Sequence, residues 1–133
     1  MRTLAVDHGE ARCGLALSDP TGTVVRPLEA VPPDLGEVAR VVDAEEVELV
    51  IVGLPVGLSG DEGEQAAMAR AWADELADVL PIPVRTYDER FTTVMADATA
   101  RRSGSTASRD SLAAAHLLES FLQSTSAARE GSR

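Results

Sequence analysis

The sequence predicts an α/β domain of 133 residues, built on a five-stranded mixed sheet flanked by helices. Three observations carry that expectation. Three short apolar runs fall within the first 31 residues, joined by brief turns, as in an antiparallel meander. Later, VELVIVGLP is a nearly continuous β-branched run, the composition of a central parallel strand covered on both faces. Segments with apolar residues at helical spacing then alternate with that run and with one further strand.

The first run, RTLAVD, ends in an acid, Asp7. HGEARCG turns the chain, and CGLALSD is the second strand, with Cys13 expected as a small core residue. DPTGT combines Pro20 with Gly22, which suits a hairpin connector, and leads into the third strand, TVVRPLEAV. In PDLGEVARVVDAEEV, Leu35, Val38 and Val42 recur at helical spacing and Asp34 is available as the N-cap. After the central strand, SGDEGEQAAMARAWADELADVL reads as a helix with Ala69, Trp72, Leu76 and Val79 as its apolar stripe, stopped by Pro81. IPVRTYDE is the fifth strand. TTVMADATARRS reads as a helix capped by Thr92 or Thr93, and SRDSLAAAHLLESFLQS as a last helix with Ala114, Leu117, Leu118 and Phe121 as its stripe. His116 is expected to be structural there. The order βββ-α-β-α-β-α-α is the outline of an RNase H-like domain, expected over residues 1–126 with a frayed tail at 127–133.

Composition narrows the function classes. Hydrophobic residues make up 44% and charged residues 26%, ordinary for a globular protein. No apolar run approaches the ~20 residues of a membrane span, and no secretory signal is visible, so the chain is expected in the cytoplasm, away from membranes. One cysteine excludes an internal disulfide and a cysteine-based zinc site. Twenty-two acids against twelve basic residues give −10, a field that disfavours nonspecific attraction of polyanions. Every basic residue is Arg; Lys and Asn are both absent, which reads as genome bias toward G and C. The charges are unevenly placed. Residues 34–78 carry twelve acids against Arg40 and Arg70, whereas residues 85–109 carry five Arg against three acids.

Four carboxylates sit at element ends. Asp7 ends the first strand, Asp88 and Glu89 end the fifth, and Asp110 opens the last helix. Ligands of open α/β sheets gather at the carboxyl ends of parallel strands. Asp110 precedes Ala114, Leu117, Leu118 and Phe121 by 4, 7, 8 and 11 residues, so it continues the apolar stripe toward the sheet. Acids gathered at low dielectric repel, and hard oxygen ligands of this kind suit Mg²⁺ or Mn²⁺. Each acid also has an ordinary reading: Asp110 at a helix N-terminus, Asp88 as turn or cap, Asp7 as a turn acid. A second candidate is the glycine-rich GLPVGLSGDEGEQ, where Gly53, Gly57 and Gly60 lie between a strand and a helix N-terminus and could admit a phosphate. Gly9, after Asp7, joins Gly57 and Gly60 as a phosphate-loop candidate. Their spacing matches neither the P-loop nor the dinucleotide fingerprint, and a sharp strand-to-helix connection is the ordinary reading.

Together LAVDHGEARCGLALSDPTGTVVRPLE, VIVGLPVGLSGDEGEQA, DERFTT and RDSLAAAHLLESFL resemble the YqgF/RuvX family of RNase H-like proteins, from Leu4 to Leu122 and in the same order. Members are described as candidate pre-16S rRNA nucleases and, earlier, as candidate Holliday junction resolvases. The resemblance implies a divalent-metal nuclease with a two-metal Mg²⁺ or Mn²⁺ site, its ligands falling on Asp7, Glu89 and Asp110. It also implies trimming of the 5′ end of pre-16S rRNA in a ribosomal context, with Arg90, Thr92 and Thr93 beside the scissile phosphate. Arg12, Arg101, Arg102 and Arg109 are the remaining candidates for nucleic-acid contact. The basic character usual in the turn after the first strand and before the last helix is reduced here to these four, which implies modest unaided RNA affinity.

Two other functions use the same fold. Resolution of branched, four-way DNA would need a homodimer, whereas RNA trimming is open to a monomer. A non-catalytic ribosome-assembly factor would keep metal binding without cleavage. An actin-like kinase also carries an acid followed by Gly after its first strand, but 133 residues are too few for its two lobes.

Overall fold

The computed structural model describes residues 1–55, 63–89 and 109–131, with backbone alone at 109–110 and 126–131. Five strands and three helices follow in the order β1 (Thr3–Asp7), β2 (Cys13–Ser18), β3 (Val25–Val31), α1 (Leu35–Ala44), β4 (Leu49–Leu54), α2 (Glu64–Val79), β5 (Val84–Asp88) and α3 (Arg109–Gly131). The helix expected over 92–103 lies outside the described residues. Helix α3 runs on to Gly131, past the boundary at 126 where the sequence suggested a tail.

The strands form one sheet in the order β3-β2-β1-β4-β5. The meander is antiparallel, with Leu4 opposite Leu17 and Leu17 opposite Arg26. From β1 onward the sheet is parallel: Val6 pairs with Val52, and Gly53 pairs with Tyr87. This is the predicted mixed sheet, and it brings the carboxyl ends of β1, β4 and β5 to one edge.

The connections follow from local chemistry. Asp19 accepts hydrogen bonds from the Thr23 and Val24 N–H groups (2.8 and 3.0 Å) and from the Thr21 hydroxyl (2.6 Å). These hold its carboxyl down at about 2 and close the β2–β3 hairpin, with Gly22 at φ 73°. Asp34 caps α1 as expected, accepting from the Gly36 N–H at 2.7 Å.

The two sheet faces differ in texture. On one, Leu4, Val6, Leu15, Val50 and Val52 pack against Val38 and Val42 of α1 and Trp72 and Leu76 of α2. On the other, Ala5, Ala16 and Ile51 meet Ala114, Leu117 and Leu118 of α3. Alanines on both partners let α3 lie close to the sheet. One predicted stripe residue is corrected: Val79 is 54% exposed, and α2 buries Ala66, Ala69, Trp72, Ala73 and Leu76 instead. The buried stripe is therefore displaced one turn toward the helix N-terminus. Cys13 and His116 are buried, as the sequence suggested.

Candidate functional site

Asp7 is the last residue of β1, opposite Gly14 of β2. Side chains alternate along a strand, so Asp7 shares the face of Ala5, which packs under α3. On β4, Gly53 lies one residue beyond Val52, the partner of Val6, and so is Asp7's neighbour on that side. Glu89 follows directly on β5, next to Asp88, which pairs with Leu54. Two acids two strands apart would ordinarily stand roughly 10 Å apart, with the central strand's side chain between them. Here that side chain is missing.

Glu89 occupies the vacated space. A Cβ built on Gly53 would lie 2.9 Å from Glu89 Oε1 and 3.0 Å from both Glu89 Cγ and Leu117 Cδ2. Glu89 thus crosses over β4 beneath Leu117 and reaches Asp7 by a side-chain hydrogen bond. Burial pushes its carboxyl up to about 8, and the charges of Asp7 and Asp88 add to the rise. Glu89 therefore holds a proton near neutrality and donates it to Asp7.

The neighbours fix this edge. The Leu15 N–H donates to Ser111 Oγ at 3.3 Å, where the β2–β3 register shifts between Cys13 and Leu15. Ser111 is fully buried, so this bond seats the first turn of α3 against β2, beside the Asp7–Gly14 pair. The backbone of Asp110 is held at the same edge by its neighbour. Tyr87 ties β5 to α3, its hydroxyl 2.9 Å from Ser120 Oγ and its ring edge-on to Phe121 at 5.7 Å. On the opposite face, the His8 ring lies 4.9 Å from that of Trp72, and burial lowers the His8 pKa against the opposing pull of Asp7.

The expected site residues divide accordingly. Asp7 and Glu89 are brought together. Asp110 is placed by backbone only; among the described residues no three His, Cys, Asp or Glu side chains form a metal-holding group. Gly57, Gly60, Arg90, Thr92, Thr93, Arg101 and Arg102 lie outside the described residues, as does the side chain of Arg109. Arg12 is exposed on the turn after β1. Gly9 has a local reason, since a Cβ there would lie 2.7 Å from the Arg12 carbonyl oxygen. Gly53 is corrected: it stands inside β4, with its open side filled by a carboxylate rather than facing a phosphate. Sequence reasoning missed this role, although a lone Gly in an otherwise β-branched strand signals close approach. It also missed Ser111, whose partner is 96 residues away.

The donor set fits a hard divalent cation. Two carboxylates share one proton in a half-buried site, and a dication in the proton's place would satisfy both charges.

Solved structures share this fold. The Thermus thermophilus RuvC protein, solved in complex with a Holliday junction substrate, superposes with a TM-score of 0.65 at 17% identity, covering 94% of this chain and 96% of that one. That likeness is one of fold, a mixed five-stranded sheet with helices on its faces. The profile of the family described as "RuvX: Holliday junction resolvase" matches residues 1–124, and the chain belongs to that family. A Thermobifida fusca relative named "Putative pre-16S rRNA nuclease" is 51% identical over 104 residues, covering 73% of this chain and 65% of its own. A relative of the same name from an Anaeromyxobacter species is 39% identical over 132 residues, covering 92% and 96%.

Proposed function

We propose that this chain is a divalent-metal-dependent nuclease that hydrolyses phosphodiester bonds in the 5′-end maturation of pre-16S rRNA. The observation that carries the reading is the Asp7–Glu89 pair, closed over Gly53 at the carboxyl edge of the parallel strands. Relatives at 39–51% identity named for the same rRNA support the choice of substrate.

Asp7, Glu89 and Asp110 would hold Mg²⁺ or Mn²⁺, in a two-metal arrangement. When bound, such ions activate water and neutralise charge developing on the phosphodiester. The chain's own groups prepare the edge for this. Gly53 leaves the space in which the two carboxylates meet, Leu117 covers Glu89 from the α3 side, and Ser111 seats the turn that carries Asp110. Arg12, Arg90, Arg101, Arg102 and Arg109, with the Thr92 and Thr93 hydroxyls, would supply phosphate contacts. Few such contacts give modest affinity and a shallow salt dependence. The nuclease domain is taken as residues 1–126, acting in the cytoplasm; among the described residues no helix is long and apolar enough to cross a membrane.

The family description supports a second reading, cleavage of branched DNA through the same carboxylates. One assay separates them. Purified protein is incubated with Mn²⁺ or EDTA on pre-16S rRNA and, in parallel, on a four-way DNA junction. Metal-dependent trimming of the RNA with the junction intact supports the rRNA reading. Symmetric nicking of the junction with the RNA intact would replace it.

A further inference from the structure

The strand order places β3 and β5 at opposite edges of the sheet, with the Asp7–Glu89 pair toward β5. Along the β3 edge, on the face covered by α1 and α2, a groove of about 470 Å³ opens between β3 and α1. That size lies within the range of sites that enclose a ligand or several side chains. Its apolar surface comes from Leu28, Val31 and Val41, all only partly buried against the core. Glu29, Glu37 and Ala44 stand around it.

Charge identifies the occupant. The lining itself carries three acids, Glu29, Glu37 and Glu45, against one basic residue, Arg40. Arg40 pairs with Glu37, Arg26 pairs with Glu45 at 3.4 Å, and Arg2 donates to the Glu45 carbonyl oxygen at 2.9 Å, three arginines against the seven acids from Glu29 to Glu48. The surroundings stay net acidic and repel a nucleic acid. An extended backbone pairing fully along β3 is also disfavoured, because Pro27 lies mid-strand and charged residues line the edge. What remains suited is side-chain insertion: apolar anchors in the groove, flanked by cations against its acidic margin.

We propose that the β3–α1 groove binds an extended basic peptide segment of a partner protein, one that alternates Arg or Lys with aliphatic residues. The occupant sits across the sheet from Glu89, so nucleic acid at the carboxylate edge and a basic protein at the groove can be held at once. The proposal does not depend on the cleavage reading.

The test uses the full chain and a fluorescein-labelled peptide, GRLRVRLRG, read by anisotropy. Saturable binding is expected, weakening several-fold as salt shortens the Debye length to ~3 Å near 1 M. Glu29→Arg with Ala44→Arg should weaken it about tenfold, as expected where a charged rim and an anchor pocket act together. Glu75→Arg with Ala77→Arg changes the net charge equally on exposed α2 positions and should leave binding within about twofold, the size of a remote screened effect. A peptide with Gly in place of Leu and Val should bind as weakly as the groove variant does. Equal weakening by both variants would reduce the attraction to net charge and overturn the proposal. Absence of saturable binding, or a change of oligomeric state in the groove variant alone, would also overturn it, the latter in favour of a second copy as occupant. Cleavage by the groove variant should match wild type, so failure here is distinct from failure of the nuclease reading.

Discussion

A Cβ on Gly53 would stand 2.9 Å from Glu89 Oε1, so the carboxylate that reaches Asp7 occupies the side-chain space of the strand between them. The atoms such a Cβ would meet are the ends of flexible side chains, Glu89 and Leu117, rather than backbone. Gly53→Ala should therefore displace the carboxylate before it disrupts the sheet. We expect an overpacking cost of about 1–3 kcal/mol in urea denaturation, with a much larger loss of Mn²⁺ affinity by calorimetry. Unchanged metal affinity would mean that Glu89 does not need this path.

The raised Glu89 carboxyl sets a pH dependence. Its folded value of about 8 exceeds the ordinary carboxyl value of 4.5, so the folded state holds the proton more tightly than the unfolded chain. That contribution is fully present below the unfolded value and is lost as pH rises through the folded one. Metal-free protein should lose stability between about pH 4.5 and 8, measured by urea midpoints in EDTA. Glu89→Gln should flatten this slope, and an equal slope in that variant would assign it to another group.

Metal binding should release the same proton. Near neutrality Glu89 is protonated and Asp7 accepts its hydrogen bond, so a dication can use both carboxylates only by displacing that proton. Mn²⁺ titrations in buffers of different ionisation enthalpy should report close to one proton released per protein at pH 7. Release should vanish in Glu89→Gln. Binding without release would place the ion elsewhere.

Ser111 anchors the start of α3 through the Leu15 N–H. Ser111→Ala leaves that buried donor without its hydroxyl partner, at a cost of about 1–3 kcal/mol in denaturation. Mn²⁺ affinity should fall beyond what lost stability explains, because the turn bearing Asp110 is no longer seated. Ser111→Thr, which keeps the hydroxyl, should restore part of the affinity. Equal affinity in wild type and Ser111→Ala would limit the residue to a stability role.

Most of the fold was legible because its signals are local. Alternation and turn chemistry mark β1 to β3, the VELVIVGLP run marks β4, and Asp34 marks the start of α1. Val79 was misplaced because a 3.6-residue period locates a stripe but not the turn at which a helix leaves its neighbour. Asp7 and Glu89 were legible as acids at strand ends, and parallel order predicts a shared edge. What makes them a pair was not. It needs Gly53 from a third strand, and that glycine reads as part of a loop when it is seen beside Pro55, Gly57 and Gly60. Ser111 was invisible for the same reason, since nothing local ties it to Leu15.

The central claim is that Asp7 and Glu89 form a metal-dependent hydrolytic site. Its most direct test is the initial rate of pre-16S rRNA cleavage with Mn²⁺, for wild type, Asp7→Asn and Glu89→Gln side by side. Each substitution keeps the size of the side chain while removing its charge. The site predicts a loss of about a hundred- to a thousandfold in both variants, the scale of removing a principal electrostatic group from an active centre. Cleavage at the wild-type rate by either variant would contradict it.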